Sequence, residues 1–367
     1  MNKEKINIGQ LFTWVAMYQL GSAIIINLGM NAKQDAWLVI LVAMVIGTLA
    51  FFLIYGSLFH LYPHLPLTGY TQIILGKYIG WSLGFMYLLY FIYASSRNLR
   101  DFGALILTSG YDETPLFVVH VIMIMTLVYG IRLGIEVYAR AAQMFFMFFI
   151  SLYIFGVILL IFSGVIDFKN LMPVLGNGWQ PVVTTAFPLT YTFPFGEMIA
   201  FTMLLPYLNK SQSAVKVGVA GMIISGIILS LTVSLNISVL GLEAAERSIF
   251  PLIKTVGEIN IGHLLQRMDA IALLIFVITS FFKIGTFFFV AVIAASDLFK
   301  VQKYGKLALP IGIIILFSSM IMASNFSEHL KEGLEIVPPY IHIPFQLGIP
   351  LLLLMVALFR KRFNRGH

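Results

Sequence analysis

TTAFPLTYTFPFGEMIAFTMLLP, residues 184–206, is apolar and long enough to cross a bilayer, because about 20 helical residues span the hydrocarbon. Yet it holds Pro188, Pro194, Gly196 and, near its middle, the carboxylate of Glu197. Pro194 has no N–H to donate and its ring crowds the carbonyl four residues back, so a helix is expected to break close to Phe195 and Gly196. Lipid cannot satisfy the backbone groups that such a break frees, which places it against protein, water or a ligand. An acid at membrane depth marks a functional site by default. The segment therefore predicts a polytopic membrane protein with a binding site at mid-depth.

The rest of the 367-residue chain agrees, being 59% hydrophobic and 11% charged with a mean hydropathy of +0.94. A soluble domain would carry about a quarter charged residues. With no cysteine, disulfides and thiolate metal sites are excluded. The formal charge of +7 does not imply nucleic acid as a partner, since the basic residues lie in short loops and the tail, where membrane orientation accounts for them. The opening MNKEKINIGQLF runs into an apolar stretch that continues to Gly29 without a clear small-residue cleavage site, so no cleaved signal peptide is expected.

Ten apolar spans are predicted, at about 8–29, 36–59, 79–100, 115–131, 138–163, 184–206, 213–241, 269–297, 305–323 and 341–359. The fold class is all-α, a single integral-membrane domain over 1–367. An even number of spans puts both termini on one side, and most of the 23 Lys/Arg fall there. N and C termini are therefore expected in the cytoplasm. The outer loops collect acids such as Asp112, Glu113, Glu243 and Glu246. The longest polar interval, 243–269, carries Ile249, Leu252, Ile253 and Val256 at helical spacing. That pattern suggests a short amphipathic helix over the outer surface; a solvated loop is the alternative.

A second interruption is visible in the first span, where Gln19-Leu20-Gly21-Ser22-Ala23 is followed by Asn27 and Gly29. Spans one and six occupy equivalent places if the chain divides into two halves, about 8–163 and 184–359. Five spans per half make the halves opposite in topology. Interrupted segments at matching positions of inverted halves point to a transporter-type site at the repeat interface. This is the leucine-transporter-like expectation: a 5+5 inverted repeat with broken helices 1 and 6. For Gly21 and Ser22 alone, small-residue helix packing is the plainer explanation.

Glu197 at mid-span costs roughly 2.5–3.5 kcal/mol on an insertion scale. It must be protonated, paired or near water, and serves either as a ligand or proton contact or as a tether for its own freed backbone. Lys283, in ITSFFKIGTFF of the eighth span, is the other buried charge. An ion pair with Glu197 is open to it, and so is substitution for a transported cation. Snorkelling is disfavoured, because mid-span is too deep for the side chain to reach either surface. Arg97 and Asp101, at i,i+4 on the outer end of the third span, suggest a helix-end ion pair more than an outer gate. Tyr87, Tyr90 and Tyr93 fit packing. His60 and His64 are separated by Pro63 and lack a third nearby ligand, which favours a loop over a metal site. No nucleophile elbow, phosphate-binding glycine loop or HExxH pattern is present. Neither catalysis nor a cofactor is expected.

Several strings together carry a family resemblance: KINIGQLF with QLGSA, DAW at 35–37, GIRLGIEVYARAAQ at 130–143, LMPVLGNGWQPV at 171–182, FPFGE at 193–197, IFPLIKTV at 249–256 and HLLQRMD at 263–269. In order and spacing the chain resembles the B subunits of spore germinant receptors, membrane proteins of endospore-forming bacteria. That family is similar to the amino-acid/polyamine/organocation transporters, which share the leucine-transporter fold. The resemblance implies a small nutrient, such as an amino acid, cradled by Gly21, Ser22, Ala23, Phe195, Gly196 and Glu197. Loop 243–269 would match the outer lid of that fold. Lys283 departs from sodium-coupled members, and with Glu197 it is the candidate for ion or proton coupling. The implied partners are an A subunit with cytoplasmic domains, a lipoprotein C subunit and membrane lipid, in the spore inner membrane. The implied function is nutrient sensing that signals germination to those partners. An amino-acid permease, proton-coupled through Glu197, and a subunit of a nutrient-gated ion channel are the rivals.

Overall fold

A computed structural model of the chain describes residues 5–109, 113–261, 265–266, 268–323 and 325–363. Asp112, Arg365 and both chain ends, and with them the side on which the termini lie, are outside these residues. Among the described residues, seven helices are long and apolar enough to cross a membrane. In chain order the main helices are α1 (Ile8–Leu20), α2 (Met30–Leu61), α3 (Lys77–Thr108), α4 (Leu116–Arg132) and α5 (Ile135–Ser163). They continue with α6 (Gln180–Thr185), α7 (Ala214–Leu240), α8 (Asp269–Leu298), α9 (Ala308–Ile321) and α10 (Pro338–Arg362). Helix α4, at 17 residues, is apolar but shorter than the seven, of which the shortest is α9 counted with its preceding 3₁₀ turn, Tyr304–Ile321, while α1 and α6 end early because the chain leaves helical geometry. The protein is thus an all-α, multi-pass membrane protein. Among the described residues, strand pairing amounts to a two-residue ladder, Asn260–Ile261 with Leu265–Gln266, and a single bridge between Ile6 and Leu208.

Burial separates the centre from the periphery. In the most apolar window of α8, 72% of residues are buried, against 28% for α5 and for α10, so α8 forms the axis of the bundle. Met144, Met147 and Phe162 on α5 are exposed, as a lipid-facing surface requires. Polar side chains tie neighbouring helices to the axis. Trp14 Nε1 donates to Thr286 Oγ1 at 2.7 Å, and Ser95 Oγ donates to the Ile284 carbonyl at 3.1 Å. Gly221 of α7 lets Val15 of α1 come close, since a Cβ there would stand 2.7 Å from Val15 Cγ1.

Both expected interruptions are present, one of them displaced. Helix α1 stops at Leu20, Gly21 adopts φ 32°, ψ −132°, and a short 3₁₀ turn follows over Ser22–Ile24. In the sixth segment the chain leaves helical geometry at Phe187 (φ −130°, ψ 127°) and turns again at 193–194 before a 3₁₀ helix, Phe195–Met203. The interruption therefore begins about two turns before the expected Phe195-Gly196. Pro188 and Pro194 each act on the backbone that precedes them. Just before α1, the Ile6 N–H donates to the Tyr207 carbonyl and the Asn209 N–H to the Ile6 carbonyl, both at 3.0 Å. The start of the first segment is thereby laced to the end of the sixth.

Loop 243–269 holds two short helices, Leu242–Arg247 and Pro251–Gly257, the second burying Leu252 and Val256. Ile249 stays outside that helix and is exposed. A short helix at Leu67–Leu75 occupies a stretch that apolar patterning had left as a connection.

Candidate functional site

The two interruptions meet at α8. Lys283, fully buried, places its Nζ 2.5 Å from Glu197 Oε2, whose side chain is 3% exposed. Of the alternatives open to Lys283, the structure has the ion pair. To reach Glu197, the lysine side chain crosses the face of Gly21: a Cβ at Gly21 would stand 2.1 Å from Lys283 Cδ. Thr279 Oγ1, one turn before Lys283, donates to the Gly21 carbonyl at 2.9 Å, and the Tyr18 hydroxyl donates to the Glu197 carbonyl at 2.8 Å. Carbonyls released by the breaks are thus bonded by side chains, as burial demands. The ammonium also lies 4.1 Å from the centroid of the Phe193 ring, a cation–π distance.

The remaining expected residues surround this pair. Ser22 Oγ donates to Asn98 Oδ1 at 3.1 Å, and Ala23 is buried. Phe195 packs into the space left by Gly47 of α2, where a Cβ would lie 2.4 Å from its own Cβ. Gly196 faces Gln346 of α10, whose Oε1 would be 2.2 Å from an added Cβ. Gln346 Nε2 donates to the Tyr90 hydroxyl at 2.9 Å and the Thr192 carbonyl at 3.1 Å, and the Gln346 backbone carbonyl accepts from the Tyr55 hydroxyl. Tyr90 also meets His342 Nδ1 at 3.0 Å, so this tyrosine belongs to a polar network as well as to the packing. Gln346 and His342, polar residues one turn apart in an apolar span, were signals that sequence reasoning passed over.

Beside the pair lies a cavity of about 370 Å³, within the range of small-molecule sites. Glu197 and Phe193 line it, as do Asn27 to Asn31 after the first break. Ala94, Arg97, Asn98 and Asp101 of α3 form another wall, and further sides come from Leu189 and Thr190, from Glu246 to Ile249, and from Leu330, Gly333, Leu334, Pro338 and His342. Gly21, Ser22, Ala23, Phe195 and Gly196 stand behind Glu197 and do not line the cavity. They shape the junction that holds the carboxylate at its edge.

Arg97 and Asp101 do not pair with each other. Arg97 Nη2 donates to the His329 carbonyl at 2.6 Å and approaches Glu332 at 3.9 Å, while Asp101 meets His329 Nε2 at 2.9 Å. Their better partners come from the helix Phe326–Lys331 and the turn after it, which lie across the cavity and were invisible to local spacing. Asn27 Nδ2 donates to the Ala245 carbonyl at 2.7 Å, and Phe250 stacks on Phe326 with centroids 6.1 Å apart. The walls from loops 242–257 and 326–336 are joined to each other and to the first break.

Comparison with known proteins agrees with this architecture. The family described as "Spore germination protein" matches residues 5–327. The chain is 42% identical to spore germination protein KB of Bacillus subtilis (strain 168), over 99% of this chain and 97% of that protein. From the same organism, spore germination protein YndE is 25% identical over 90% of this chain and 89% of its own length. Spore germination protein A2 is 24% identical over 91% and 93%. A multi-pass helical bundle with interruptions in its first and sixth segments, matched along nearly its whole length, belongs to the spore germination protein family.

Proposed function

We propose that the protein is the membrane subunit of a nutrient germinant receptor and that a small nutrient, such as an amino acid, binds in the 370 Å³ cavity at the edge of the Glu197–Lys283 pair. The observation that carries this is the position of that pair: one ion pair, buried from water, joins both interrupted segments to the bundle axis and presents its carboxylate to the cavity. Gly21, Ser22 and Ala23 with Phe195 and Gly196 set the geometry of the junction. Nutrient touching Glu197 on one side and the walls from 242–257 and 326–336 on the other favours one arrangement of the two segments. That bias passes to A and C partner subunits, provided the nutrient's affinity differs between the two states. In this reading α4 and the two interrupted segments complete ten spans in a 5+5 inverted repeat of the leucine-transporter type. The chain is then a single domain, non-enzymatic, in the spore inner membrane with both termini in the cytoplasm.

The same pair supports a second reading, a proton-coupled permease, because protonating Glu197 would release Lys283 and loosen both segments together. Accumulation of labelled amino acid by proteoliposomes of the purified chain separates it from pure sensing, and a nutrient-evoked current would favour a channel. The receptor reading itself is tested with Asn98→Ala, which removes a cavity wall and the Ser22 bond while leaving the ion pair intact. Spores carrying that variant are expected to need more nutrient for the same germination response at equal chain abundance. An unchanged dose–response curve would remove the cavity from nutrient recognition.

A further inference from the structure

At the far end of α10, a groove of about 420 Å³ opens between the ends of α2 and α10 and the helix Leu67–Leu75. His60, Tyr62, Ile73, Arg360 and Lys361 line it, with no carboxylate among its lining residues. Its two cations, Arg360 and Lys361, both lie on α10, while His60, Tyr62 and Ile73 come from the other two elements, so the groove is assembled by the fold and not by a tail alone. Arg360 Nη1 donates to the Ile73 carbonyl at 3.0 Å, which holds the guanidinium at the groove with further N–H donors to offer. His60 Nδ1 is anchored 2.5 Å from the Gly56 carbonyl. Ile73 (52%), Leu358 (51%) and Phe359 (63%) expose apolar surface beside these cations. Exposed apolar side chains next to a basic cluster at the end of a membrane helix mark the level where acyl chains meet headgroups.

We propose that this groove binds the phosphate headgroup of an anionic phospholipid. Arg360 and Lys361 take the phosphate oxygens, an arrangement suited to the guanidinium fork, and the acyl chains lie along Ile73 and Phe359. Orientation by charge alone requires no groove and no shared site; a lipid site requires both. The test is the unfolding midpoint of the purified full chain in uncharged detergent, titrated with phosphatidylglycerol, phosphatidylcholine or inorganic phosphate. Phosphatidylglycerol is expected to raise the midpoint, and the other two are not. Lys361→Gln should raise the half-saturating phosphatidylglycerol concentration about fivefold, the factor that ~1 kcal/mol per basic residue near an anionic surface corresponds to. Arg360→Gln should do the same, and Lys361→Gln carries the test if loss of the Ile73 bond lowers the lipid-free midpoint. Arg362→Gln, an equal charge change on a residue that does not line the groove, should leave the titration unchanged. Equal shifts in all three variants would overturn the site in favour of diffuse charge. An equal response to inorganic phosphate would overturn the lipid assignment, and no response to phosphatidylglycerol would overturn the proposal outright.

Discussion

Removing one member of the Glu197–Lys283 pair is expected to damage the protein far more than removing both. At 2.5 Å the attraction between the charges is about 7 kcal/mol at an effective dielectric near 20. Withdrawing each ion from water costs several kcal/mol, so the two contributions nearly cancel and the intact pair contributes little net stability. With one partner gone, the other keeps its desolvation cost without the attraction. Lys283→Met and Glu197→Gln are each expected to destabilise by roughly 3–5 kcal/mol, while the double variant should lie within about 1 kcal/mol of wild type. Thermal unfolding of the four purified chains in one detergent reads this order directly. Single variants that melt with wild type, or a double variant whose loss equals the sum of the singles, would refute the coupling.

Gly21→Ala should lower the unfolding midpoint by an amount equivalent to at least about 2 kcal/mol, because φ 32° disfavours a side chain and the methyl would strike Lys283; an unshifted midpoint would contradict the crossing of lysine and glycine. Gly196→Ala, crowding Gln346 Oε1, should cost about 1–3 kcal/mol by the same measurement. Gly333→Val would stand against Arg97, whose Nη2 lies 2.4 Å from an added Cβ, and push it from the His329 carbonyl. Losing that charged hydrogen bond, worth roughly 1.5 kcal/mol or more, should loosen the 326–336 wall and speed maleimide labelling of an Asn98→Cys reporter about tenfold. The chain has no cysteine of its own, so the labelling is unambiguous, and an unchanged rate would show that these contacts do not close the cavity.

Long apolar runs were legible because hydropathy adds over many residues, and α2, α3, α5, α7 and α8 lie where their runs do. Their ends were less so. The third span was expected at 79–100, yet α3 runs from Lys77 to Thr108, because Arg97, Arg100 and Asp101 find partners inside the protein and need not mark a surface. Before the tenth span, Pro338 and Pro344 are absorbed by π turns, so helical structure begins earlier than the expected 341. The interruptions were visible as glycine and proline, but the sequence offers both Pro188 and Pro194 as the place where the sixth gives way, and the chain leaves helical geometry at the first, at Phe187. The Glu197–Lys283 pair spans 86 positions, and spacing could only leave it among several options. The cavity was least legible of all, since Asn27, Asn98, Ser248 and Pro338 come together only through the packing of distant elements.

Equilibrium binding of a labelled panel of amino acids and sugars to the purified full chain, with and without partner subunits, compares wild type with Ala94→Leu. Ala94 lines the cavity and its methyl group makes no hydrogen bond, so the larger side chain fills space without removing a polar contact. At least one panel member should bind wild type saturably and lose about tenfold or more in affinity on the variant, as expected for a solute displaced from a filled site. Saturable binding that keeps its full affinity in Ala94→Leu would place the nutrient elsewhere.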